Sequence, residues 1–264
     1  ARGERVAAAL LPAGREVPPG LGPETVEGFL RGSGLPEREE EFRLFDYPFH
    51  VIGALEELFG PNLESRLAGG EYHRLAEGLH VGPGATLADS AVVHAEDGPV
   101  VLEAGVRVMD FTYLRGPVYV GRGSRIIERS SVKEHTSVGH TCKIGGEVEA
   151  SVIEAYTNKQ HHGFLGHSYV GSWVNLGAGT SNSDLKNTYG EVRAELGGRR
   201  VETGMQFLGC VIGDYSKAAI NTSIFTGRVV GVSSMLYGYV GRNVPSFCNY
   251  ARSFGQLTEC SLEQ

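Results

Sequence analysis

The chain has 264 residues, 41% of them apolar and 21% charged, which suits one large folded domain or two modest ones. A net charge of −7 argues against a general nucleic-acid binder, whose phosphate contacts need a basic face, and no apolar run is long enough to span a bilayer. Glycine is abundant, at 38 residues, but lacks the three-residue period of collagen, so the fold needs many tight corners. The opening Ala1-Arg2-Gly3-Glu4 carries neither a secretory leader nor a starting methionine, which reads as a fragment or a processed chain. Cys142, Cys210, Cys248 and Cys260 show no paired spacing and read as reduced, mostly buried thiols in a cytoplasmic protein.

Residues 1–45 are broken up by Pro12, Pro18, Pro19, Pro23 and Pro36, and the run Val6–Leu11 suits a strand or a short helix. From Asp46, a candidate cap, to Leu67 the spacing of Phe49, Ile52, Leu55, Leu58 and Phe59 predicts a helix with one apolar stripe. The segment 46–78 is therefore expected to be a linker helix that caps the structure following it.

A strong internal period comes next. From Leu102, steps of six reach Val108, Leu114, Val120, Ile126, Val132, Val138, Ile144 and Ala150, all apolar. The fourth residue after each is often small, as at Thr112, Ser124, Ser130, Thr136 and Cys142. Val81, Leu87 and Val93 show the same beat earlier. After a slip of two residues it resumes at Val152, Phe164, Val170 and Leu176, with Asn158 as a polar exception, and it returns at Ile212, Ala218, Ile224, Val230 and Leu236. A period of six fits neither a helix nor an alternating strand; it fits a short strand plus a corner. The apolar residue then points inward, the small one fills the narrowing interior, and stacked coils bury a continuous apolar column. The expected fold is mainly β, a parallel β-helix of hexapeptide repeats over 79–245, with a loop insertion at 182–206 and a tail at 246–264. Within the insertion, Glu191–Thr203 reads as a hairpin turning at Gly197-Gly198. The tail is expected to pack along the outside of the coil.

The densest chemistry lies in Tyr156–His167, followed by Val174-Asn-Leu-Gly-Ala-Gly-Thr180. His161, His162 and His167 suit a base working near neutral pH, a metal site, or corner residues with only structural bonds.

His161-His-Gly-Phe-Leu-Gly166 followed by Val174–Thr180 resembles the acetyltransferase half of the bifunctional enzymes that make UDP-N-acetylglucosamine. Gly145–Glu149, Asn158–His161 and Ser183–Gly190 look closer to the divergent sugar nucleotidyltransferase branch of that family, and the resemblance spans about residues 80–255. It implies a left-handed coil, a homotrimer with sites between subunits, and acetyl transfer from acetyl-CoA to an amino-sugar phosphate such as glucosamine-1-phosphate, with no metal required. By position it implies His161 as catalytic base, Asn175 as a substrate ligand, Ala178 as a backbone contact to acyl-CoA and Arg252 as a CoA contact. Lys133 falls, by repeat phase, where the family holds phosphate, and Lys159 is the candidate to replace a family lysine whose place Ser151 takes. Phe164 lacks the family's phenol hydroxyl, and Asp184-Leu185 stands for its Asn-Tyr pair; both departures fall on acceptor contacts. The resemblance also makes residues 1–45 a short α/β remnant of a preceding nucleotidyltransferase domain. The glycine-rich nucleotide loop of that domain is not in this sequence, so uridylyl transfer is not supported. A reading from another class is a non-catalytic β-helix that trimerises and regulates such a domain.

Overall fold

The computed structural model describes residues 9, 11–22, 24–36, 44–251 and 255–259. The chain divides into two compact units, Ala1–Pro48 and Phe49–Gln264. Among its described residues the first unit holds one short helix, α1 (Val26–Gly32), with Arg31 and Glu27 paired at 2.8 Å one turn apart. The element expected at Val6–Leu11 lies largely outside the described residues.

The second unit is built from very short strands stacked on three faces. The first face carries Leu79–Val81, Val100–Leu102, Val118–Val120, Thr136–Val138, Val152–Ile153, Tyr169–Val170, Cys210–Ile212 and Arg228–Val230. The second carries Thr86–Leu87, Arg107–Val108, Arg125–Ile126, Lys143–Ile144, Asn158–Lys159, Asn175–Leu176, Lys217–Ala218, Met235–Leu236 and Cys248–Ala251. The third carries Val92–His94, Tyr113–Arg115, Ser131–Val132, Glu147–Glu149 and Phe164–Gly166, then Ser181–Asn182, Ser223–Ile224 and Tyr239–Val240. Each of these strands pairs in parallel with one a coil away rather than with its neighbour along the chain. This is the left-handed parallel β-helix that the repeat and the resemblance lead one to expect.

The interior explains the beat. Leu102, Val108, Leu114, Val120, Ile126, Val132, Val138 and Ile144 are at most 3% exposed and form one apolar column. The small polar positions are buried at the corners, where the backbone leaves the strand ladder and needs other partners. Ser124 Oγ donates to Gly139 O at 2.8 Å and accepts from Cys142 N at 2.8 Å. Thr157 repeats this with Gly171 O at 2.7 Å and Val174 N at 3.1 Å. One hydroxyl thus bridges successive coils. Cys142 and Cys210 are free and buried, and burial pushes the Cys142 thiol up to about 11 and Cys210 up to about 12, so these two thiols are unreactive; Cys248 is buried too, and Cys260 lies outside the described residues. Ile126→Ala should cost about 2–5 kcal/mol in urea unfolding because the column is closed on all sides. Ile220→Ala, at a site 68% exposed, should change stability little.

Beyond Ile144 the phase differs from the expected one. The next inward residue is Val148, only four positions on, and Ala150 is a half-buried corner at φ 42°. The inward series then runs Ile153, Lys159, Leu165, Val170, Leu176 and Asn182. The slip is shared between two shortened corners, a four-residue step across Gly145-Gly146 and a five-residue step across Ala150-Ser151, and in two-residue strands a shift of one exchanges inside for outside. Val152 and Phe164 are therefore outward residues, and the polar inward residues are Lys159 and Asn182 rather than Asn158.

Most outward residues of the first face, Val101, Tyr119 and Tyr169 among them, are apolar or aromatic and need cover. Phe59 and Leu63 of α3 (Leu55–Gly69) pack on Val101 and Tyr119. Phe49, at the start of α2 (His50–Gly53), and Ile52 within it cluster with Val192, Ala194, Leu208 and Tyr169. The helical cover lies along the side of the coil, and its first helix begins after Phe49, so Asp46 is not its cap. The edge of the first face is met instead by His73–Ala76, antiparallel to Leu79–Val81. In the insertion, Arg193–Leu196 pairs antiparallel with Arg199–Glu202 across Gly197 and Gly198, both at positive φ, as the turn residues predict. The stack also runs into the expected tail. Cys248–Ala251 continues the second face, and Tyr250, 3% exposed, closes the core. Among the described residues no helix is long and apolar enough to cross a membrane.

Candidate active site

The corner between the second and third faces stacks Gly145-Gly146, Gln160–Gly163 and Ala178-Gly179 on successive coils. Gly179 N donates to His162 O at 3.0 Å, and Gly145 N donates to Lys159 O at 2.6 Å. Only glycine fits the closest approaches: a Cβ on Gly145 would stand 2.0 Å from Gln160 O, and one on Gly163, at φ 130°, would stand 2.1 Å from Thr180 O. Lys159 points into this corner and is 2% exposed. Its ammonium donates to Gly145 O at 2.6 Å, Gly163 O at 2.7 Å and His161 O at 3.3 Å. Burial pushes it down to about 8, against the opposing pull of Glu147. The substrate contact expected of Lys159 is thus replaced by a brace inside the coil, because an ammonium in this interior must spend its donors on carbonyls.

Four sequence-predicted features meet at this edge. His161 is exposed, and its ring has no hydrogen-bond partner among the described residues. His162 is exposed too, and its Nε2 lies 3.4 Å from where a Cβ on Gly179 would sit, beside Asn221. Ala178 is half-buried in the same turn. Asn175 is exposed on the second face, in register with Asn158 below and Lys217 above. Lys133 stands apart on the third face. Its ammonium is hydrogen-bonded to Glu147 and lies 3.3 Å from Glu149, and these bonds hold its pKa above the usual lysine value. Arg252 lies outside the described residues.

The corner between the third and first faces holds His167, the third of the histidines that suit a base, a metal site or a structural corner. His167 Nδ1 is 2.8 Å from Asp184 Oδ2, and its ring stacks on Phe207 at 5.2 Å. Asp184 and Phe207 stand at the two ends of the insertion, which Leu185 and Phe207 close by a bridge. Glu149, His167 and Asp184 bring ligand atoms within 4.8 Å of one another and can hold a metal ion; one imidazole with two carboxylates suits a divalent ion of the zinc or manganese kind. The available signal was the spacing of 17 residues, close to one coil, between His167 and Asp184. On the remaining corner Tyr156, Trp173 and Tyr215 stack as an exposed ladder, with ring centroids 4.5 and 6.3 Å apart.

The stacked six-residue coils define a hexapeptide-repeat scaffold. No family profile matches the chain. Over 166 residues it is 31% identical to an acetyltransferase of Escherichia coli described as uncharacterized, YaiX, covering 61% of this chain and 71% of that protein. Over 142 residues it is 34% identical to the bifunctional sugar-1-phosphate nucleotidylyltransferase/acetyltransferase of Sulfurisphaera tokodaii, covering 53% of this chain and 35% of that protein. The UDP-N-acetylglucosamine acyltransferase of Campylobacter jejuni overlaps 64% of this chain and 69% of its own, at 13% identity and a TM-score of 0.34. The chain belongs to the hexapeptide-repeat acetyltransferase family. It spans about a third of the length of the bifunctional relative.

Proposed function

We propose that this protein transfers an acetyl group from acetyl-CoA to an amino-sugar phosphate. The observation that carries the reading is the glycine-stacked corner, which sets exposed His161 and His162 beside Asn175 and the Ala178-Gly179 turn in a chain of the acetyltransferase family. In this reading the neutral His161 imidazole takes a proton from the acceptor amine as nitrogen adds to the thioester carbon. A backbone N–H at Ala178 steadies the oxyanion, and its collapse breaks the carbon–sulfur bond and releases CoA thiolate, which takes up the proton. Asn175 holds the sugar, and the reacting groups need no metal for this step. Arg252 contacts CoA, and the working form is a homotrimer in the cytoplasm with each site between two subunits. Residues 1–45 are the end of a preceding nucleotidyltransferase domain. Incubation with acetyl-CoA and glucosamine-1-phosphate should release free CoA. The reading fails if a panel of amino- and hydroxy-sugar phosphates gives no release and CoA does not bind.

A further inference from the structure

Resting on that reading, the acceptor's phosphate needs a cation, and the two lysines expected to supply it are engaged elsewhere: Lys133 by Glu147 and Glu149, Lys159 by backbone carbonyls. The second face offers others. Its outward column runs in register Arg107, Arg125, Lys143, Asn158, Asn175, Lys217. All four cations are exposed, and among the described residues none has an ion-pair or hydrogen-bond partner. Adjacent rungs are about 4.8 Å apart, a spacing at which like charges facing each other are destabilising. A bare cation column also runs against the chain's net charge of −7. Between Arg107 and Lys217 the column changes to neutral side chains at Asn158 and Asn175, beside the histidine corner.

We propose that Lys143 and Lys217 form a phosphate clamp around these asparagines. Lys143 stands one rung below Asn158 and Lys217 one rung above Asn175, so a ligand lying on the amides has an ammonium group on either side. The ligand chemistry is a phosphate monoester or diphosphate, and it has two possible sources, the acceptor and acyl-CoA. Both lysines point outward, so Lys143→Ala and Lys217→Ala should fold as the parent does. Each should raise the KM for glucosamine-1-phosphate about tenfold, the pair about a hundredfold, with kcat nearly kept and the KM for unphosphorylated glucosamine unchanged. A rise in the KM for acetyl-CoA instead, absent with acetyl-dephospho-CoA or other truncated donors, would assign the clamp to the donor's phosphates. Calorimetric titration of the full chain with glucosamine-1-phosphate and with CoA separates this inference from the catalytic one. Binding that is lost in the double variant supports the clamp even without turnover. Equal binding, or equal KM values, in parent and double variant would overturn it.

Discussion

His161→Ala should lower kcat by about a hundred- to ten-thousandfold while leaving thermal unfolding unchanged. The two halves of this expectation have separate causes. The ring is exposed and has no hydrogen-bond partner among the described residues, so its removal takes nothing from the fold. The histidine's backbone carbonyl, which the substitution keeps, is what the Lys159 ammonium holds at 3.3 Å. A general base acts in the transition state rather than in ground-state binding, so the KM for acetyl-CoA should stay near the parent value. His162→Ala is the paired control, since His162 leans on the Gly179 turn and should affect placement more than proton transfer. Unchanged turnover in His161→Ala with a large loss in His162→Ala would move the base by one residue. Steady-state CoA release by both variants decides this.

Lys159→Met should destabilise the coil by about 2–4 kcal/mol, because the buried Gly145 carbonyl and the part-buried carbonyls of His161 and Gly163 lose the ammonium at once. The effect should depend on pH in a defined direction. Lys159 is pushed down to about 8, against 10.5 for an ordinary lysine, so between these values the unfolded chain holds a proton that the folded chain has released. Unfolding free energy of the parent, relative to the methionine variant, should therefore rise between pH 8 and 10.5. Below pH 8 the cost of burying the charge is fully present and the difference should be flat. Urea unfolding of both proteins across this range measures it. A difference that falls with rising pH would mean the ammonium is not the buried group described. The variant should also lose activity below its melting temperature, because His161 O is one of the three points the brace holds.

The six-residue beat was readable where every coil has the same length. Arg107, Arg125 and Lys143 face one another at intervals of eighteen residues, and over that stretch each expected inward residue is buried. Legibility ended where corners shorten. Ile144 to Val148 and Val240 to Val244 are four-residue steps and Val148 to Ile153 is a five-residue step, which the constant beat cannot follow, and they hid both the true phase at Lys159 and the continuation of the coil to Tyr250. A lysine beside two histidines also resembles a ligand-binding group in sequence; only the fold shows that carbonyls surround it. His161, Asn175 and Ala178 were placed through the resemblance, and the coil does bring them to one edge. Lys143 and Lys217 were hidden because the insertion separates in sequence what the second face sets only three rungs apart.

The central claim is that acetyl transfer takes place at the glycine-stacked corner. A crystal structure with acetyl-CoA bound tests it most directly. The account predicts the thioester beside the Ala178-Gly179 turn, with its carbonyl oxygen toward the Ala178 N–H and its carbon within reach of an amine that His161 can deprotonate. Acetyl-CoA seated at the His167–Asp184 corner or along the first face would contradict it, as would a protein that does not bind acetyl-CoA at all.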